Sequence, residues 1–311
     1  MILQVLLLVA GFVMLIKGAD FFVEGAAELA KRLQIPELII GLTVVAMGTS
    51  MPEAAVSITA QLQGNIEITV GNIVGSNILN ILIILGASSL FGTLKVSRTT
   101  VRYEIPYMIF CSVLLTILGL DGMISLRDGL ILWACFLAFG AYLALGARRQ
   151  KENRAAEQEK QVLNALWLEL VMIAGGLAVL ILGSRFSVNA ATEIARWLGI
   201  SERFIGLSVV ALGTSLPELF TSVTATRKGS NDIAIGNIVG SNIFNILFIV
   251  GTSGLISDVS FHSRFITDSI VMIGAALLLG LGVIRKKEIT ARVGCLMLIC
   301  YAGYFAYLCL T

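Results

Sequence analysis

Glu53 and Glu218 are the residues of this sequence best placed to do chemistry. Each follows a proline inside an apolar run, and each has hydroxyl residues four positions before and four after it. Thr49 and Ser57 flank Glu53; Thr214 and Ser222 flank Glu218. Spacing by four places such groups on one helical face. Pro52 and Pro217 lack an N–H and clash with the carbonyl four residues earlier, which frees the carbonyls of Gly48 and Gly213. The carbonyls just before these, including those of Ala46 and Ala211, are expected to be reoriented as well. A second polar stripe, Asn72, Ser76 and Asn80, is also spaced by four, and Asn237, Ser241 and Asn245 repeat it. If the stripes converge, they form a cage of two carboxylates, hydroxyls, amide oxygens and freed carbonyls. It contains no His, Cys or Lys. An all-oxygen, net-negative cage suits hard cations such as Ca²⁺ and Na⁺, whereas Zn²⁺ and Cu⁺ favour nitrogen or sulfur.

These residues come in pairs because the chain carries one unit twice. Residues 41–60 and 206–225 share thirteen of twenty positions; residues 71–86 and 236–251 share thirteen of sixteen. Both matches have the same offset, 165 residues. Polar groups are costly in apolar surroundings, so a duplicated set of them reads as a site.

The surroundings are membrane-like. The chain of 311 residues is 57% hydrophobic and 14% charged, against roughly 25% charge in soluble domains. Apolar runs recur at about the 20 residues needed to cross a bilayer. The reading is an all-α polytopic membrane protein of ten transmembrane helices, near 2–31, 36–61, 66–91, 102–119, 127–147, 163–196, 202–226, 231–256, 265–284 and 289–309. Residues 1–147 make a first five-helix repeat and 163–311 a second, joined by the polar connector 148–162. The net charge of +2 points to no particular partner, and no nucleic-acid or protein partner is evident. The five cysteines show no disulfide framework or zinc spacing. The first apolar segment lacks a basic start and reads as a retained helix, not a signal peptide.

Basic residues set the expected sidedness. One group of loops holds Lys31, Arg32, Lys95, Arg98, Arg102, Arg227, Lys228, the 285–292 cluster and the connector; the opposite loops hold only Arg127, Arg196, Arg203 and Arg264. The first group is expected in the cytoplasm, with both termini outside, in the plasma membrane. Five helices per half is odd, so the repeats should have inverted topology, a transporter pattern with a midplane site. Gly71/Gly75 and Gly236/Gly240 form small-residue steps, expected to let helices 2 and 3, and 7 and 8, approach closely.

Other charges read differently. Lys17, Asp20, Glu24 and Glu28 form a stripe on helix 1, echoed by Arg185, Asn189 and Glu193 on helix 6. The sign reverses between Asp20 and Arg185, which argues against a shared ion ligand. Helices 1 and 6 are expected to be long and to emerge from the membrane there. Glu67 and Asp232 suit helix N-termini, and His262 falls in a loop.

GTSMPE and GTSLPE, each followed by GNIVGSNI, resemble the two alpha-repeats of the Ca²⁺:cation antiporter superfamily, and within it prokaryotic sodium/calcium exchangers. The resemblance covers essentially the whole chain. It implies a cation site shared by helices 2, 3, 7 and 8. Thr49, Glu53, Thr214 and Glu218 would coordinate Ca²⁺, and Ser50 and Ser215 would line the ion path. Ser76 and Ser241 match the serines of the family's second segment, the carbonyls of Ala46 and Ala211 would serve Na⁺, and Asn80 and Asn245 match its last polar positions. Many relatives carry Asp where Asn245 stands, a residue linked to potassium dependence, so Asn245 implies a potassium-independent protein. The expected activity is exchange of Ca²⁺ for Na⁺ by alternating access, with these ions as substrates, the bilayer as surroundings and no cofactor. A Ca²⁺/H⁺ antiporter, or an exchanger of another divalent cation, is the alternative on the same fold. The chain lacks zinc-protease, paired-aspartate and Ser/Lys signatures, so it is not read as an enzyme.

Overall fold

Glycine and proline decide where the apolar runs bend and where they touch. The computed structural model describes residues 2–66, 68–152, 166–199 and 211–310. Its helices are α1 (Ile2–Leu33), α2 (Glu37–Thr49), α3 (Met51–Leu62), α4 (Ile68–Phe91), α5 (Thr100–Asp121), α6 (Leu126–Glu152), α7 (Leu166–Trp197), α8 (Ala211–Thr214), α9 (Leu216–Arg227), α10 (Asn231–Ile256), α11 (Ser263–Ile284) and α12 (Ala291–Leu310). Among the described residues, eight helices are long and apolar enough to cross a membrane. A ninth span results if α2 and α3, bent by 48°, count as one. Residues 202–210 of the expected seventh helix, and 153–162 of the connector, lie outside the described residues. The connector's first residues continue α6 as helix.

The core is built around α4 and α10. In α10, 94% of the apolar window is buried and in α4 72%, against 17% in α6 and 11% in α12. The broken pairs α2–α3 and α8–α9 pack on these two helices. Large apolar side chains such as Leu6 on α1, Leu281 on α11 and Ile299 on α12 are exposed, an apolar perimeter suited to lipid.

α1 and α7 run antiparallel across this core, each 32 residues long, or about 48 Å at 1.5 Å per residue. That exceeds the roughly 30 Å hydrocarbon layer. Glycines let the two backbones touch. A Cβ on Gly18 would stand 2.9 Å from the Gly176 carbonyl oxygen, and one on Gly11 2.9 Å from that of Gly183. At one end, Arg32 Nη2 pairs with the buried Glu169 Oε1 at 2.7 Å.

Among the described residues, four two-residue strands join the loops, a feature without a signal in the sequence pattern. β1 (Leu94–Lys95) pairs antiparallel with β4 (Glu288–Ile289), and β2 (Met123–Ile124) with β3 (Val259–Ser260). The first pair ties together two lysine- and arginine-rich loops; the second ties together loops of the basic-poor group.

Candidate functional site

The site begins with two matched kinks. Ser50 separates α2 from α3 with φ −83° and ψ 6°; Ser215 separates α8 from α9 with φ −88° and ψ 5°. These lie in the sparsely populated bridge region of backbone space. In each half the proline, two residues on, cannot donate to the carbonyl four residues before it. Ser184 of α7 takes up one such group: its hydroxyl donates to the Gly213 carbonyl at 2.7 Å. Among the described residues, four helices also contain π-helical turns, which often mark functional sites. One spans Gly41–Val45, just before Ala46, two begin at Asn80 and Asn245, and the fourth, Thr100–Glu104, opens α5 away from the kinks.

The kinks aim each serine at the glutamate of the other half. Ser50 Oγ donates to Glu218 Oε1 at 2.9 Å, and Ser215 Oγ donates to Glu53 Oε1 at 3.2 Å. Both glutamates are buried, and their Oε2 atoms have no hydrogen-bond partner. Thr49 Oγ1 lies 3.0 Å from Asn237 Oδ1 and 3.1 Å from the Val45 carbonyl. The Asn237 amide donates to Ser222 Oγ at 3.0 Å, and Asn72 donates to Ser57 Oγ at 2.9 Å. Ser241 Oγ donates to the Ala46 carbonyl at 3.3 Å. Thr214 Oγ1 is buried without a partner. Ser76 is buried on α4. Ala211 opens α8, and its side chain is outside the description.

Asn80 and Asn245 are also buried, but their hydrogen bonds run to other amides. Asn80 Nδ2 donates to Asn242 Oδ1 at 3.0 Å, and Asn245 Nδ2 to Asn77 Oδ1 at 3.1 Å. Their own Oδ1 atoms have no partner. Glu53, Glu218, Asn80 and Asn245 therefore present four buried acceptor oxygens, matched between the halves, that no donor satisfies. Burying such oxygens is costly unless something compensates, and a hard cation does so.

The spacing argument missed Asn77 and Asn242. They stand one residue off the stripes of four, so they read as belonging to another face. Their signal was the three-residue step to Asn80 and Asn245, which also shares a face. Met108 and Met272, buried on α5 and α11, were missed too; their sulfurs lie 3.6 and 3.7 Å from the amides of Asn242 and Asn77. The same helices carry carboxylates bound by tyrosines: Tyr142 donates to Glu104, and Tyr304 donates to Asp268 at 2.9 Å.

One packing expectation is corrected. Gly236 and Gly240 do not serve contact between the broken helix α9 and α10. They face α2 of the other half: a Cβ on Gly240 would stand 2.7 Å from the Leu42 carbonyl oxygen, and one on Gly236 3.0 Å from Gly41 Cα. The two halves, not neighbours within one half, need the close approach.

Helices of this length and hydropathy, broken around a buried oxygen-lined site, make the chain a multi-pass helical membrane protein. A single family description, "Sodium/calcium exchanger protein", matches it twice, over residues 3–145 and 168–310. The chain belongs to this family. It is 31% identical to the sodium/calcium exchanger MaX1 of Methanosarcina acetivorans, covering 97% of each chain. It is 40% identical to the inner membrane protein YrbG of Escherichia coli, over 83% of this chain and 81% of YrbG. Its fold matches the solved sodium-calcium exchanger NCX_Mj with a TM-score of 0.85, 30% identity and 99% of each chain covered.

Proposed function

We propose that this protein is an antiporter that exchanges Ca²⁺ for Na⁺ across the membrane by alternating access, independently of K⁺. The observation that carries the reading is the reciprocal pair Ser50–Glu218 and Ser215–Glu53, which joins both carboxylates into one buried oxygen cage. In this reading Thr49, Glu53, Thr214 and Glu218 hold Ca²⁺. Ser50, Ser76, Ser215, Ser241, Asn80, Asn245 and the Ala46 and Ala211 carbonyls complete the cation positions. Two glutamates balance one Ca²⁺ or two Na⁺. The two ions compete for the same carboxylates, and competition produces exchange. A third Na⁺ would leave the loaded cage positive and make transport electrogenic. An unloaded cage carries two buried charges, which opposes crossing without cargo.

The same reading takes the chain as ten spans in two inverted five-helix repeats, 1–147 and 163–311. Support comes from the double family match and from the loop pairings, which set α5 and α11 running in opposite senses. The basic loops and connector 148–162 are cytoplasmic and both termini are outside. The glycine seam holds α1 and α7 backbone against backbone, so that the pair shifts over the core as one unit. Asn245, a neutral amide, supports K⁺ independence. The names of MaX1 and NCX_Mj agree with sodium and calcium as substrates.

The test is ⁴⁵Ca²⁺ uptake into proteoliposomes under imposed Na⁺, K⁺ or H⁺ gradients. Uptake driven by an outward Na⁺ gradient alone is expected. Uptake driven only by H⁺, or requiring K⁺, would overturn this coupling. On a background with the native cysteines replaced, Glu157→Cys should react only from the cytoplasmic side.

A further inference from the structure

Arg185 lies past the middle of α7, twelve residues before the helix ends at Trp197, about 18 Å along the axis. Its side chain is exposed, on the stretch where this long helix is expected to leave the membrane. Among the described residues, no ion pair engages this guanidinium. It lines a cavity of 330 Å³ together with Met51, Pro52, Ser184, Gly213 and Thr214. The cavity therefore touches both helix breaks at once. One wall is Thr214, whose buried hydroxyl oxygen has no partner. Another is Ser184, next to Arg185 in sequence, which holds the Gly213 carbonyl.

The equivalent place in the first half, 165 residues earlier, has the opposite charge. Ala19 stands where Ser184 does, and Asp20 where Arg185 does. Asp20 Oδ1 lies 3.6 Å from Lys228 Nζ, and Glu24 Oε2 lies 3.3 Å from it. That place thus holds acids paired with a lysine, with Lys17 one turn away, where the second half holds an arginine outside any such pair. A sign reversal that excludes a shared ion ligand is what unequal approaches to one site require.

We propose that Arg185 makes the approach on the Trp197 side electropositive, so that cations load less tightly from that side than from the other. The proposal rests on the exchanger reading above. A fixed positive potential lowers the local concentration of a divalent ion by the square of its effect on a monovalent one. A potential of about one kT per unit charge changes Na⁺ loading roughly threefold and Ca²⁺ loading roughly sevenfold. Arg185 thus sets the Ca²⁺-to-Na⁺ preference of one side without touching the ion.

The experiment measures half-saturating Ca²⁺ and Na⁺ from each side of oriented proteoliposomes for wild type, R185K, R185Q and R185E. R185K should match wild type. R185Q should lower both constants on one side only, with the Ca²⁺ fold-change near the square of the Na⁺ fold-change, and R185E should go further. Added choline chloride should shrink the effect by screening. If R185E does not fold, R185Q and its salt dependence still decide. Equal changes on both sides, equal fold-changes for the two ions, or an exchanger indifferent to R185Q would overturn the proposal alone. A wild-type protein that moves neither ion would overturn the exchanger reading and this proposal with it.

Discussion

Asn77 and Asn242 each donate a side-chain hydrogen bond to the other's backbone carbonyl, at 3.2 and 3.3 Å. The two residues are 165 apart, the offset of the duplication, so equivalent positions of the two halves meet each other. It joins α4 to α10 where both are buried, and it supplies the partners that orient Asn80 and Asn245.

Removing one of these amides should therefore cost stability first. Asn77→Ala leaves the Asn242 carbonyl and the Asn245 amide short of partners, a loss of about 1–3 kcal/mol for a buried polar group. Thermal unfolding in detergent should show a lowered midpoint. The double variant Asn77→Ala/Asn242→Ala should cost less than the sum of the single changes, because the partners disappear together. Strict additivity would mean that the reciprocal contact carries no energy.

Glu53→Gln and Glu218→Gln should each reduce Ca²⁺ transport to background in reconstituted vesicles while the protein still elutes as a folded species. Glutamine keeps the volume and an oxygen but removes the charge that a divalent cation needs. Near wild-type exchange by either variant would remove that residue from the set of ion ligands.

Gly240→Ala should destabilise the protein by about 1–3 kcal/mol, the range for overpacking a tight core contact. The added methyl would meet the Leu42 carbonyl oxygen and Ala46 Cβ at 2.7 Å. Gly303→Ala on α12 is the control, since nothing lies within 4 Å of its Cβ position. Equal melting temperatures for the two variants would contradict the close approach of α10 to α2.

Asn245→Asp should change ion coupling. The substitution adds a carboxylate to a cage that already holds Glu53 and Glu218, and an extra negative charge favours an additional monovalent cation. Transport should acquire altered Na⁺ affinity and a K⁺ effect absent from wild type. A variant with unchanged Na⁺ and K⁺ dependence would place Asn245 beyond the reach of the ion.

The sequence by itself determined the local features. The prolines before Glu53 and Glu218 dictate helix breaks, and spacing by four dictates the polar faces. Both follow from helical geometry within a few residues. The repeat of these features at one offset was also visible, as was the all-oxygen chemistry. The tertiary structure alone decided which face meets which. Ser50 meets Glu218 rather than Glu53, and Gly240 meets Leu42 rather than α9. Asn77 finds Asn242, and Arg185 finds a cavity beside Thr214. These contacts join residues more than 25 positions apart in the chain. No local period encodes them, because they depend on how the helices settle against one another when their apolar and glycine-rich surfaces pack.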